Sequence, residues 1–175
     1  IFGVMFFFMF KVLTYETSLP EDYLNDIQIG SATKRWQAAY ELSKLLSNPE
    51  RVPTDAGFKN KMVSIYEHSI HDDPMVRTYM ALAMGRTGQQ EYGPTLMNGL
   101  NDKDKGSRLA AIKALGLLRF TPAVNGIQKF TAGNFSNAEK LAATIALGNM
   151  DDKSLIPILQ KLLDDEEPNI RWDAA

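Results

Sequence analysis

The stretch Arg77-Thr78-Tyr79-Met80-Ala81-Leu82-Ala83-Met84-Gly85 returns as Arg108-Leu109-Ala110-Ala111-Ile112-Lys113-Ala114-Leu115-Gly116. It returns again as Lys140-Leu141-Ala142-Ala143-Thr144-Ile145-Ala146-Leu147-Gly148. A looser copy, RWQAAYELS, begins at Arg35, and a broken one, RWDAA, begins at Arg171. Arg77, Arg108, Lys140 and Arg171 are 31, 32 and 31 residues apart, and self-similarity at such a period marks a repeat architecture. Within each copy, the third residue after the basic anchor is Ala38, Met80, Ala111, Ala143 or Ala174, and the seventh is Leu42, Met84, Leu115 or Leu147. Small and apolar residues at spacings of three and four define one buried stripe of a helix, and the small ones let neighbouring helices approach closely. The glycines at the eighth position, Gly85, Gly116 and Gly148, with Ser43 in the first copy, are expected to supply the turn that ends each helix.

Helix-start signals precede the copies: Asp73-Pro74, Asp104, Ser136 and Glu167-Pro168. An acceptor side chain satisfies unpaired N–H groups, and a following proline sets φ for the first turn. After each copy comes a second amphipathic stretch, Phe58 to Ile70, Tyr92 to Leu100, Ala123 to Phe130 and Leu155 to Leu163. A pair of helices of this size cannot hide its apolar face alone, so consecutive pairs must stack. Residues 31–175 therefore read as about four repeats and the start of a fifth. Residues 18–30 read as a linker with a short helix, in which Pro20, Glu21 and Asp22 open the first turn and Gly30 stops it.

The Asp73-Pro74-Met75-Val76-Arg77 run with Ala81, Met84 and Gly85, echoed from Arg108 to Gly116, resembles the HEAT-like repeats of the phycobilisome-lyase type. The resemblance covers residues 31–175 and implies an all-α, right-handed α-solenoid of stacked helix pairs, preceded by an apolar N-terminal helix. It also implies that the repeated Asp and Arg residues pair along the stack, which makes Asp73, Arg77, Asp104, Arg108 and Arg171 structural, and that the second helices line the concave face. On that face Lys59, Glu67, Asn98, Asn125, Gln128, Gln160 and Lys161 form the expected partner-binding strip. Trp36, Tyr40 and Tyr66 are candidate aromatic anchors whose other reading is core packing.

Composition limits the chemistry. With 175 residues, 45% of them hydrophobic and 23% charged, the chain can bury a core. A net charge of −2 gives no overall basic field for nucleic acid, and no nucleic-acid partner is expected. The absence of cysteine removes disulfides, thiolate catalysis and Cys-ligated metals. No glycine-rich phosphate loop and no Gly-x-Ser-x-Gly elbow occur. Some branches of the family that the chain resembles are enzymes. The di-iron hydroxylase branch holds its metal with several His-Glu dipeptides, and this sequence has none. His68 and His71, with Glu67, Asp72 and Asp73 beside them, are expected to mark a helix end, where a histidine meets the negative terminus. Neither metal nor cofactor is expected.

Ile1 to Leu13 holds Phe2, Phe6, Phe7, Phe8 and Phe10 with Lys11 as its single charge. At ~1.5 Å per residue it reaches roughly 20 Å, short of a ~30 Å bilayer core. Because the chain starts without methionine, residues 1–17 read as the distal end of a transmembrane helix in a longer protein. Lys11-Val12-Leu13-Thr14-Tyr15 offers no small-residue cleavage site for a signal peptide. Lys11, Lys34, Arg35 and Lys44 after the apolar run favour a cytoplasmic solenoid. The expected function is a non-catalytic adaptor, a membrane-tethered accessory subunit whose partners are other subunits of a membrane complex. The alternative is a bilin-lyase-like or other accessory enzyme acting on a bound small molecule.

Overall fold

The computed structural model describes residues 3–6 and 18–175, and among these it is entirely helical and irregular, with no strand. Ten helices follow residue 18: α1 (Pro20–Ile29), α2 (Ala32–Leu45), α3 (Ala56–His68), α4 (Pro74–Arg86), α5 (Gly93–Asn98), α6 (Lys105–Leu117), α7 (Val124–Gln128), α8 (Asn137–Asn149), α9 (Ile156–Leu162) and α10 (Pro168–Ala174). Helices α2, α4, α6, α8 and α10 pack one on the next as a first layer, and α3, α5, α7 and α9 form a second layer across the core. This is a solenoid of helix pairs. α1 packs on α2 and touches α3, with Leu24 and Ile27 fully buried.

The anchors set the register. Met80, Ala111 and Ala143 at the third position, and Leu42, Met84 and Leu115 at the seventh, are fully buried. Short-range side-chain caps open α4, α6 and α8, whereas Ser31 and Glu167 make no such bond before α2 and α10. Asp73 accepts from the Met75 N–H and Asp104 from the Ser107 N–H, both at 2.8 Å. Ser136 and Glu139 form a reciprocal capping box at the start of α8. The second-layer helices are more broken than their hydrophobic pattern predicts. α5 runs for six residues, with 3₁₀ turns at Gln90–Tyr92 and Gly99–Asn101, and α7 for five, between Thr121–Ala123 and Lys129–Thr131. Pro94, Pro122 and Pro157 in the opening turns have no N–H to offer an α-helical ladder.

The repeat glycines do not supply the turn. Gly85, Gly116 and Gly148 lie inside α4, α6 and α8. A Cβ on Gly85 would sit 2.6 Å from Ala114 Cα, and one on Gly116 would sit 2.7 Å from Ala146 Cα, so these two let adjacent first-layer helices touch backbone to backbone. The turns fall eleven residues after the anchors, at Gly88 (φ 70°), Arg119 (φ 51°) and Asp151 (φ 51°). At α6 the left-handed Arg119 allows the Phe120 N–H to reach the Leu115 carbonyl at 3.1 Å, closing the helix in the Schellman manner.

Residues 3–6 form a helical turn with Val4, Met5 and Phe6 exposed. Among the described residues no helix is long and apolar enough to cross a membrane. The expected transmembrane placement, with its cytoplasmic orientation and membrane-complex partners, is therefore withdrawn. Phe2, Phe7, Phe8 and Phe10 lie outside the described residues.

The glycine geometry predicts opposite outcomes at equivalent positions. Gly116→Val must push apart two backbones and will cost about 3 kcal/mol in denaturant unfolding. Gly148 has nothing within 4 Å of an added Cβ, so Gly148→Ala will gain up to about 1 kcal/mol from helix propensity.

Candidate functional site

Stacking leaves a groove between α1 and α3 and one at each junction between successive second-layer helices, and one basic anchor lines each groove. Arg35 lines that between α1 and α3, Arg77 that between α3 and α5, Arg108 that between α5 and α7, and Lys140 that between α7 and α9. The anchors work as clamps. Arg35 Nε donates to the Ile27 carbonyl at 2.7 Å, Arg77 to the Ser69 carbonyl at 2.8 Å, Arg108 to the Asp102 carbonyl at 2.8 Å, and Arg171 to the Asp165 carbonyl at 2.8 Å. Arg35 and Arg77 thus reach back to the end of the preceding helical segment, and Arg108 and Arg171 to the loop that leads into their own helices.

Three of them also reach an acid of the next repeat. Arg35 pairs with Asp72, Arg77 with Asp102, and Arg108 with Glu139, whose Oε1 lies 2.7 Å and 2.9 Å from two guanidinium nitrogens. Asp73 and Asp104, which the family resemblance cast as the partners of the arginines, instead cap helices. Among the described residues Lys140 has no acidic partner. Burial pushes the Glu139 carboxyl up. The hydrogen bonds from Ser136 and the charge and hydrogen bonds of Arg108 outweigh that and hold it below the usual carboxylate range.

The groove between α5 and α7, about 640 Å³, has the most varied lining. Its apolar side includes Met97, Leu100, Phe130 and Phe135, the last two with ring centroids 4.5 Å apart. Asn101, Asn125 and Asn134 supply amides, and Lys105 and Lys129 supply charge. The other charges are already engaged, Asp102 by Arg77 and Glu139 by Arg108. Among the described residues neither Lys105 nor Lys129 has an acidic partner, so the groove carries two uncompensated positive charges. Such a surface can hold an anion with a flat apolar body.

The sequence-predicted strip divides among the grooves. Glu67 and Asn98 meet in the groove below Arg77, Asn125 lines the next, and Gln128 and Lys161 share the third. Lys59 is half-buried and bound to Glu91 at 2.9 Å, and Gln160 is exposed. Lys129 escaped the prediction although it stands 31 residues after Asn98 and 32 before Lys161. That equivalence was the available signal. Tyr66 is a core residue, 4% exposed, whose hydroxyl has no hydrogen-bond partner. Burial, with the charge of Asp102 adding and that of Arg77 opposing, pushes its pKa up to about 12. Trp36 is half-buried and Tyr40 packs edge-on against Tyr79. His68 Nδ1 lies 2.7 Å from the Ser64 carbonyl.

Arg108→Ala will strand the buried Glu139 charge and cost about 3 kcal/mol. The folded-state pKa of Glu139 is lowered, so its stabilisation is complete above the ordinary carboxylate pKa and is lost as pH falls through the folded value. Glu139→Gln will accordingly flatten the acid limb of a stability-versus-pH curve, measured by urea unfolding below about pH 4.3. Tyr66→Phe removes a hydroxyl that bonds to nothing and will leave stability within about 1 kcal/mol of the parent, or raise it.

Residues 61–129 match the family described as HEAT repeats, and residues 140–165 match the PBS lyase HEAT-like repeat. The chain is 32% identical over 98 residues to a deoxyhypusine hydroxylase of Schizosaccharomyces pombe, a match covering 55% of this chain and only 28% of that protein. Its fold is similar to the complex of CpcE and CpcF of phycocyanin lyase from Nostoc sp. PCC7120, with a TM-score of 0.73 at 20% identity over 92% of this chain and 64% of that one. A computationally designed armadillo repeat protein for modular peptide recognition is also similar, with a TM-score of 0.57 at 17% identity over 90% of this chain and 79% of that one. The expectation that the chain performs no chemistry is overturned here, because both natural relatives carry the names of enzymes. Period, layer packing and matches agree that the chain is a HEAT-like repeat protein.

Proposed function

We propose that this chain is the HEAT-like component of a lyase-type enzyme that holds an anionic, flat small molecule while a protein partner docks along the rod. The observation that carries the reading is the groove between α5 and α7, with two unpaired lysines at an aromatic wall. Lys105 and Lys129 would pair with carboxylates of the bound molecule, and Phe130 and Phe135 would cover its apolar body. Asn101, Asn125 and Asn134 would take hydrogen bonds from its edge. The chain's own share of the work is to bind, orient and keep water off one face. The similarity to a lyase complex supports this, as does the likeness to a designed peptide-recognising solenoid for the protein partner.

Glu67, Asn98, Lys129 and Lys161 occupy equivalent repeat positions and run from acidic to basic along the second layer. A partner laid along this layer would turn its acidic residues toward Lys161, with Asn125, Gln128 and Gln160 beside the path. The hydroxylase relative points to another chemistry that these residues do not fit. No His-Glu dipeptide occurs in the chain, and among the described residues no cluster of three or more His, Asp or Glu is placed to hold a metal.

Biliverdin, an open-chain tetrapyrrole with two carboxylates, serves as the probe. Titration followed by visible absorbance is expected to saturate, and the double variant Lys105→Glu with Lys129→Glu is expected to bind at least about tenfold more weakly. Equal affinity for the parent and the double variant, or no saturation with either, sinks the reading.

A further inference from the structure

The first layer carries a groove of its own, about 260 Å³, built entirely from α4, α6 and α8. Its floor is Ala142 and Ala146, sunk because Gly116 lets α6 and α8 approach closely. Leu82, Leu117 and Ile145 form its sides, and Leu117 and Ile145 stand 52% and 42% exposed. Exposed side chains of that size on two adjacent helices, flanked by the half-buried Leu82 of a third, make an apolar surface of the kind found at protein contacts. The polar lining is Arg86, Lys113 and Asn149, with no acid. Arg86 is fixed in place by bonds to the Ser43 carbonyl at 2.7 Å and Ser43 Oγ at 3.1 Å. Among the described residues Lys113 has no acidic partner.

We infer that this groove docks an acidic amphipathic helix of a partner protein. Its two cations, unopposed by any lining carboxylate, select a negatively charged guest. An extended guest would bring backbone N–H and C=O groups that an apolar groove cannot pair, whereas a helix satisfies its own. The dimensions agree, since packed helices lie about 8–10 Å apart and seven helical residues advance about 10.5 Å. A guest crossing the layer thus meets one ridge per two turns. This surface is built from other helices than the second-layer grooves and does not depend on the function proposed for them.

The test uses a fluorescein-labelled amphipathic peptide of about 15 residues, long enough to form a helix, with leucines at i, i+3, i+7 and i+10 among glutamates and alanines. A second peptide has lysine in place of every glutamate. Fluorescence anisotropy is expected to show saturable binding of the glutamate peptide, weakened by salt, and none of the lysine peptide. Lys113→Glu and Leu117→Ser will each weaken it about tenfold or more with unchanged thermal melting by circular dichroism, and Lys129→Glu will leave it unaltered. Equal binding of the two peptides, failure of the parent to bind either, or loss with Lys129→Glu but not Lys113→Glu overturns the inference. Sedimentation showing a dimer that Leu117→Ser dissolves also overturns it, because a second copy would then be the occupant.

Discussion

Everything in this molecule depends on how closely the first-layer helices approach. Where Gly85 meets Ala114 and Gly116 meets Ala146, one backbone rests on the next with no side chain between. That contact fixes the step from one helix pair to the following one. The second layer, with its broken helices and bulkier core residues such as Tyr92, Phe130 and Leu155, adjusts to the step and is left with gaps between its members. The grooves beside Arg108 and Lys140 on one side and the shallow apolar trough on the other therefore share the joints at which these two glycines sit.

Much of the fold could be read from residues alone because its causes are local or periodic. A 31-residue period with a stripe at the third and seventh positions leaves little choice but stacked helices, and the caps at Asp73, Asp104 and Ser136 act over two or three residues. Two features misled. Glycine at the end of a helical stripe has both a turn reading and a packing reading, and only the position of the neighbouring helix decides between them. The actual left-handed turns fall on Gly88, Arg119 and Asp151, of which the arginine is a residue type that carries no such signal. The apolar opening of the chain has the composition of a membrane segment, yet a composition of that kind does not fix a helix length.

The candidate site was harder to read, for a physical reason. The acids that face Arg35, Arg77 and Arg108 are Asp72, Asp102 and Glu139, which do not occupy equivalent positions in the repeat. The family resemblance assigns a repeated aspartate to the arginines and so fixes on the caps. Lys129 bears no mark in the sequence, and the fold lines one groove with it, Phe130 and Phe135, with no acidic partner for the lysine among the described residues. Conversely, Lys59 looked available and is tied to Glu91. Whether a surface charge is free depends on what the next turn of the solenoid brings to it.

The three arginine clamps also bear on how the rod deforms. Each ties a first-layer helix to a backbone carbonyl of the segment before it and to an acid that lies further along the chain. At the following joint Lys140 has, among the described residues, no such acid ahead of it. In a quasi-one-dimensional stack each interface contributes separately to cohesion, so stiffness is uneven along the length. The joint after α8 is bridged by Asn137, which donates to the Glu167 carboxylate at 3.1 Å, so a neutral amide stands there where an arginine stands at the earlier joints.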